Sequence, residues 1–172
     1  MIIILMGVAG SGKSTVGQTL ARRLGWPFHD ADDFHPARNR AKMRRGIPLD
    51  DNDRRPWLEA IRASIVQSLS ARENAIYACS ALKQSYRQLL AADTEKVKFV
   101  HLNGAAELIA QRLANRQGHF FDPALLQTQF DDLEEPHRVL EADISLPPEA
   151  IVDSIVAVLG LRQGAISRQC SA

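Results

Sequence analysis

Cysteine is scarce in this sequence of 172 residues, which contains only Cys79 and Cys170. These two do not form a metal-spaced pair, and Cys79 lies inside an apolar run, where we expect a small, buried hydrophobic side chain. A fold without disulfides fits a reducing, cytoplasmic location. An excess of charge of one sign is also missing, because the net charge is only +1. This balance argues against broad binding to nucleic acid.

Long hydrophobic runs are absent as well. The apolar residues Ile2–Met6 have no basic segment before them and give way at once to a glycine-rich stretch. They therefore suit a core strand and fit neither a signal peptide nor a membrane span, so we expect no membrane partner. The chain is long enough to bury a sizeable core. We predict a single domain over residues 1–161 and a polar, disordered tail over 162–172.

A phosphate-binding loop is present in full. From Gly7 the sequence reads G-V-A-G-S-G-K-S, directly after the strand-like run and before an amphipathic helix from about Lys13 to Leu24. The glycines permit a concave backbone whose N–H groups point at one anion, and the helix N-terminus adds positive potential. Lys13 can reach the β- and γ-phosphates of ATP, and the Ser14 hydroxyl can ligate Mg²⁺. The residues predicted to hold the nucleotide are Gly7, Val8, Ala9, Gly10, Ser11, Gly12, Lys13, Ser14 and Thr15.

Short apolar runs alternate with helical patterns along the chain, as a parallel sheet covered by crossover helices requires. We predict strands near residues 2–6, 27–30, 75–79, 97–102 and 139–144. The predicted fold class is α/β, a three-layer α/β/α P-loop domain with a five-stranded parallel sheet. Two polar stretches, Asp30–Arg55 and Arg116–Pro123, interrupt the pattern. We expect both at the carboxyl ends of strands, where open α/β sheets bind ligands.

The first polar stretch opens at Asp30 with D-A-D-D-F-H-P. Carboxylates and an imidazole at the end of a strand suit both the coordination of Mg²⁺-bound water and the activation of a hydroxyl group. We predict that Asp32 is the base that orients an attacking alcohol and accepts its proton. The alternative is an acidic turn that only caps a helix, and it is stronger for Asp33 than for Asp32.

Arg54 stands among several carboxylates in the same stretch. We predict that it binds an anionic substrate in a bidentate manner, and the alternative is a surface ion pair. Either Asp51 or Asp53 is expected to cap the helix that carries Trp57.

Two cations, Lys83 and Arg87, follow the third predicted strand at a spacing of one helical turn. We predict that both bind a carboxylate or phosphate of the substrate, and the alternative is a solvated helix face. The D-x-x-G and N-K-x-D motifs of a regulatory GTPase do not occur.

Arg112 and Arg116 lie four residues apart and lead into Q-G-H-F-F. We predict a mobile lid near residues 116–123 in which both arginines act as catalytic cations toward the triphosphate. The two phenylalanines suit either water exclusion or a place in the core. A separate basic run, from Arg38 to Arg45, lacks interleaved aromatic residues, and we interpret it as a solvated helix over the substrate site.

Taken in order, these motifs resemble the gluconate kinase (gluconokinase) family. The resemblance covers about residues 2–160 and rests on G-V-A-G-S-G-K-S, D-A-D-D-F-H-P, D-R-R-P-W-L, C-S-A-L-K-Q-S-Y-R and R-Q-G-H-F-F. It implies a nucleoside-monophosphate-kinase-like fold with strand order 2-3-1-4-5. It also implies ATP and Mg²⁺ as cofactors, D-gluconate as the small-molecule acceptor, and a homodimer.

The resemblance also implies roles for individual residues. Asp32 and His35 would lie beside the sugar hydroxyls, and the residues near the substrate would be Arg54, Lys83, Arg87 and His119. Arg112 and Arg116 would belong to the lid. Two alternatives stay open, a kinase of another small hydroxy acid such as shikimate and a nucleotide-binding module without catalysis.

Overall fold

The centre of the molecule is one parallel sheet. The computed structural model describes residues 1–115 and 123–162, except for the side chains of 123–125. The strands are Ile2–Met6 (β1), Phe28–Asp30 (β2), Ala75–Ala78 (β3), Val97–Asn103 (β4) and Leu140–Asp143 (β5). They pair in the order β2-β3-β1-β4-β5, and every pairing is parallel. The predicted strands and the strand order implied by the family resemblance are confirmed.

Helices cover both faces of the sheet. They are Lys13–Leu24 (α1), Ala37–Arg44 (α2), Asp51–Ser70 (α3), Gln84–Leu90 (α4), Ala106–Ala114 (α5), Pro123–Asp132 (α6) and Pro148–Val158 (α7), with a 3-10 helix at Ala31–Phe34. Among the helices of residues 1–115 and 123–162, none combines the length and apolar character needed to cross a bilayer.

Alternate side chains of β1 enter two separate clusters of the core. On one face, Ile3 and Leu5 pack with Leu20 of α1 and with α7. On the other face, Ile4 packs with Ile61 of α3. Because β1 is buried on both faces, its sequence is an uninterrupted apolar run rather than an alternating one. The predicted three-layer α/β/α architecture is confirmed.

The first turn of α3 is closed by a capping box. The Asp50 side chain accepts a hydrogen bond from the Asp53 N–H at 2.8 Å, and the Asp53 side chain accepts one from the Asp50 N–H at 3.2 Å. These two bonds satisfy N–H groups that the start of a helix leaves unpaired. The capping residue is therefore Asp50, and the prediction of Asp51 or Asp53 was wrong, although Asp53 completes the box. Asp51 takes no part in this capping box, so its carboxylate can bind other side chains.

Candidate active site

A cleft of about 820 Å³ opens at the carboxyl ends of the strands. The phosphate loop forms its floor, and the turn after β2, the loop after β3 and helix α6 form walls. Strands β2 and β3 lie on one side of β1, and β4 and β5 lie on the other. The cleft therefore lies at the switch point of the strand order, where open α/β sheets bind ligands.

The phosphate loop connects β1 to α1 and keeps the conformation that its glycines permit. Gly10 and Gly12 have φ of +82° and +96°, in the left-handed region that other residues avoid. A Cβ at Gly10 would also lie 2.7 Å from Cγ of Leu113, so α5 packs directly on the loop. Residues Ala9 to Thr15 line the cleft.

Lys13 lies at the first turn of α1, with its amine on the loop. Its Nζ donates to the carbonyl oxygens of Gly7 and Val8, both at 2.9 Å. Burial lowers the pKa of Lys13. An amine held by two carbonyls at the floor of the cleft can exchange them for phosphate oxygens without a large movement.

Asp30 joins the phosphate loop to the turn that follows β2. Its Oδ2 accepts a hydrogen bond from the Ser14 hydroxyl at 2.7 Å, and its Oδ1 accepts one from the Asp32 N–H at 3.1 Å. Both ends of the carboxylate are therefore used, one for the nucleotide side and one for the acidic turn. These hard oxygen atoms are of the kind that Mg²⁺ prefers. Within the described residues, no group of three or more His, Cys, Asp or Glu side chains could hold a metal ion alone.

Asp32 lines the cleft, and its neighbour Asp33 is exposed outside it. Burial raises the pKa of Asp32, and the negative charge of Asp30 raises it further. A carboxylate with a raised pKa is a better proton acceptor than an ordinary aspartate.

His35 is held as a neutral ring. It stacks on Trp57 with 4.5 Å between ring centroids, and burial lowers its pKa to about 4. The buried Asn39 fixes the tautomer, because its Nδ2 donates to the Asp53 carbonyl at 2.7 Å and faces His35 Nδ1 at 3.4 Å. Nδ1 must then accept, so the ring proton lies on Nε2.

Trp57 also shapes the acidic turn itself. Its indole N–H donates to the Ala31 carbonyl at 2.6 Å, between Asp30 and Asp32. The helical spacing of Trp57 predicts only a core role, and the structure adds that this side chain positions both Asp32 and His35.

Arg54 enters the cleft from the start of α3 with acidic partners already in place. Its Nη1 donates to the Tyr86 hydroxyl at 3.2 Å and lies 3.4 Å from the Asp132 carboxylate. Asp51 lies 3.8 Å away. The Arg54 side chain is only a quarter exposed, so this is not a solvated surface pair.

Lys83 stands beside the cleft and is also paired. Its Nζ lies 2.9 Å from Asp51, whose carboxylate accepts a further hydrogen bond from Tyr86. The bond from Tyr86 and then the one from Lys83 lower the pKa of Asp51, and Asp51 raises the pKa of Lys83. Arg54 and Lys83, which were predicted to bind an anionic substrate, are therefore already paired with carboxylates of the protein.

Arg87 does not reach the cleft. Its guanidinium is buried and donates to the carbonyls of Ala81, Leu82 and Glu134 at 3.0, 2.6 and 2.9 Å. Although it is one turn from Lys83, it turns inward, because three carbonyls of neighbouring loops need a donor there. Its position does not fit the predicted grip on the substrate.

Arg112 lies in the last turn of α5 and lines the cleft. Its Nη2 donates to the Ile144 carbonyl at 2.6 Å, which fixes the guanidinium beside the loop after β5. The other lid residues of the prediction, Arg116 and His119, lie outside the described residues, as does most of the segment 116–123.

Tyr86, Gln129 and Asp132 are among the cleft residues that are missing from the predicted site. Tyr86 lies between Lys83 and Arg87 in the motif C-S-A-L-K-Q-S-Y-R, so its position in the sequence could have indicated a place in the site. Gln129 and Asp132 have no local sequence signal, because the packing of α6 decides which of its faces meets the cleft.

Comparisons with known proteins identify relatives among the kinases. A family model described as shikimate kinase matches residues 9–145. A probable gluconokinase of Xenopus tropicalis is 41% identical over 90% of this chain and 91% of its own. The thermoresistant gluconokinase of Escherichia coli (strain K12) is 42% identical over 92% and 93%. The crystal structure of a gluconokinase from Sinorhizobium meliloti 1021 has a TM-score of 0.82 at 43% identity, covering 92% of this chain and 90% of the other. The chain belongs to the gluconokinase family, and it carries the kinase fold to which the shikimate kinase model applies.

Proposed function

We propose that this protein is an ATP-dependent gluconate kinase. It transfers the γ-phosphoryl group of ATP to the terminal hydroxyl of D-gluconate and releases 6-phospho-D-gluconate and ADP. The observation that carries the proposal is one cleft lined by the phosphate loop from Ala9 to Thr15, by Asp32 and by Arg54. The similarity to gluconokinases supports the choice of acceptor.

ATP is the phosphate donor that membership of a P-loop kinase family implies. Its phosphates lie on the loop from Gly7 to Thr15, where Lys13 meets the β- and γ-phosphates. Arg112 adds a cation at the same end of the cleft. Leu146 and Pro148 offer an apolar wall there, which suits a nucleobase.

Ser14 and Asp30 would hold Mg²⁺, because their oxygen atoms lie together beside the phosphate loop. When bound, the ion neutralises charge on the β- and γ-phosphates. Mg²⁺ keeps several water ligands, so a site with few protein oxygens fits its chemistry.

Asp32 acts as the general base. It accepts the proton of the gluconate hydroxyl as the oxygen bonds to phosphorus and the bond to the leaving ADP oxygen breaks. The neutral His35 donates from Nε2 to a sugar oxygen, and Trp57 keeps both side chains in position.

The carboxylate of gluconate binds Arg54 and Lys83. Since both cations hold aspartates in the structure, binding is an exchange in which the substrate replaces Asp132 or Asp51. We also include Arg116 and His119 in this account as substrate-facing residues, on the family resemblance alone.

The same proposal covers the setting of the enzyme. We propose one kinase domain over residues 1–161 with a lid near 116–123, and a homodimer in the cytoplasm with no nucleic-acid or membrane partner. Light scattering during gel filtration tests the dimer, since a single-chain mass contradicts it.

Product analysis tests the proposed activity. The protein is incubated with Mg-ATP and, separately, with gluconate, glucose or shikimate, and ³¹P NMR follows each reaction. We expect a new phosphate ester only with gluconate, on its terminal hydroxyl. An ester formed from shikimate alone would favour the shikimate kinase alternative, and no ester from any acceptor would favour a nucleotide-binding module.

A further inference from the structure

Helix α6 contacts both the phosphate loop and Arg54. The Ala9 N–H donates to Oε1 of Gln129 at 2.6 Å. Asp132, one turn further along, lies 3.4 Å from Arg54. Residues three apart share a face of a helix, and both of these line the cleft. This face of α6 therefore spans the gap between the nucleotide phosphates and the acceptor, which the phosphoryl group must cross.

The contact with Ala9 fixes the orientation of the Gln129 side chain. A backbone N–H can only donate, so the carboxamide must present its oxygen to Ala9 and turn its nitrogen away. That nitrogen carries two donors. In the part of the chain that the structure describes, Nε2 of Gln129 has no hydrogen-bond acceptor. Because Gln129 is half-buried at the wall of the cleft, these donors are available to a molecule that enters it.

We propose that Nε2 of Gln129 donates a hydrogen bond to the transferring phosphoryl group, with Ala9 holding the side chain in place. The inference rests on the proposed phosphoryl transfer in this cleft. Charge spreads over the equatorial oxygens of the phosphoryl group in the transition state. A donor that is already oriented stabilises that charge without reorganising during the reaction. Gln129 is thus a catalytic residue beside Lys13 and Arg112.

Two substitutions separate the donor from the anchor. Gln129→Glu keeps the size of the side chain and an oxygen for Ala9, and it removes both donors. Gln129→Leu removes donor and acceptor together. Gln127→Leu is the matched control, because Gln127 is exposed on the same helix and binds only Asp131, at 2.9 Å, in the described structure. For each variant we would measure kcat with gluconate, ATP hydrolysis without acceptor, the Kd for ATP and Tm.

Both Gln129 variants should lose roughly 10²-fold in kcat, the scale for removing one oriented donor from a site of developing negative charge. The loss should appear in gluconate phosphorylation and in acceptor-free hydrolysis alike, because Nε2 acts on the phosphoryl group. The Kd for ATP of Gln129→Leu should stay within a few-fold of the parent value, and Gln127→Leu should match the parent throughout.

Two results would overturn the inference. If Gln129→Glu keeps parental kcat while Gln129→Leu does not, the side chain only anchors the phosphate loop. If Gln129→Leu binds ATP more tightly at unchanged kcat, Oε1 merely occupies a phosphate position that ATP must clear. A parent that hydrolyses ATP without phosphorylating gluconate would contradict the proposed function instead, and the hydrolysis rates would still test Gln129.

Discussion

At the scale of single residues, three aspartates of one short turn have different surroundings. Asp30 uses both carboxylate oxygens, toward Ser14 and toward the Asp32 N–H. Asp32 lines the cleft and has a raised pKa, whereas Asp33 lies outside the cleft. Identical side chains therefore suit metal binding, proton transfer and solvation, because their environments differ.

The assignment of the base to Asp32 predicts unequal effects of two matched substitutions. Asp32→Asn keeps the size of the side chain but cannot accept the proton, so kcat should fall by at least about 10²-fold with little change in ATP binding. Asp33→Asn should be mild. Steady-state kinetics and ATP titrations check both. Greater damage from Asp33→Asn would show that the base is misplaced by one residue.

The neutral His35 predicts a dependence of stability on pH. Its pKa is about 4 in the folded protein and about 6.5 in an unfolded chain. Between these values the unfolded state binds more protons, so the free energy of unfolding falls as pH falls from about 6.5 to about 4, by up to about 3 kcal/mol. Above pH 6.5 His35 is neutral in both the folded and the unfolded state, so its contribution to the free energy of unfolding no longer changes with pH.

Urea unfolding at several pH values compares the parent with His35→Gln. The parent should lose more stability than the variant over this interval, because glutamine does not titrate. Parallel curves would mean that His35 is protonated as readily in the folded state as in the unfolded chain.

At the scale of elements, Arg87 connects helix α4 to two loops. It holds the carbonyls of Ala81 and Leu82 in the loop after β3, and that of Glu134 after α6. Ala81 has φ of +44°, a conformation that costs energy for a residue other than glycine. The Arg87 bonds support this loop, which forms one wall of the cleft.

Arg87→Met should therefore act on stability. It leaves buried carbonyls without a donor, and we expect a loss of about 2–4 kcal/mol in the free energy of unfolding. At a temperature where the variant is still folded, the KM for gluconate should change little. A large rise in KM without a fall in Tm would return Arg87 to the role of a substrate ligand.

Local features of the fold could be predicted from the sequence, whereas contacts between distant elements could not. The phosphate loop, the strands and the polar insertions follow from local patterns, because a motif or a periodicity fixes each of them. The inward turn of Arg87 and the place of Gln129 depend on loops that are distant in the chain and meet only in the folded protein. The ion pairs of Arg54 and Lys83 also join separate elements, so the residues next to these cations in the sequence did not indicate the ion pairs.

At the scale of the whole molecule, the charge balance is reproduced inside the cleft. The net charge is +1, and Arg54 and Lys83, the cations proposed to bind the acceptor, are paired with Asp51 and Asp132. A neutral sugar can thus enter without leaving these cations unpaired. Discrimination must then come from the difference between the bonds that the substrate carboxylate forms with these cations and the aspartate bonds that it replaces.

This exchange predicts a specific defect for Arg54→Gln. The variant keeps hydrogen-bonding capacity but loses the charge, so the kcat/KM for gluconate should fall by roughly 10- to 100-fold. The Kd for ATP should not change, because Arg54 belongs to the acceptor side. Equal losses in ATP binding and gluconate turnover would indicate a general disturbance of the cleft.

The most direct test of the account compares kcat/KM for gluconate and for glucose in the parent protein, measured by ADP release at saturating Mg-ATP. These acceptors share the terminal hydroxyl, and only gluconate has a carboxylate for Arg54 and Lys83. We predict that gluconate is preferred by at least about 10²-fold, since the pair of cations can contribute more than one charge-assisted bond. Comparable values for the two acceptors would contradict the proposal that this cleft recognises a sugar acid.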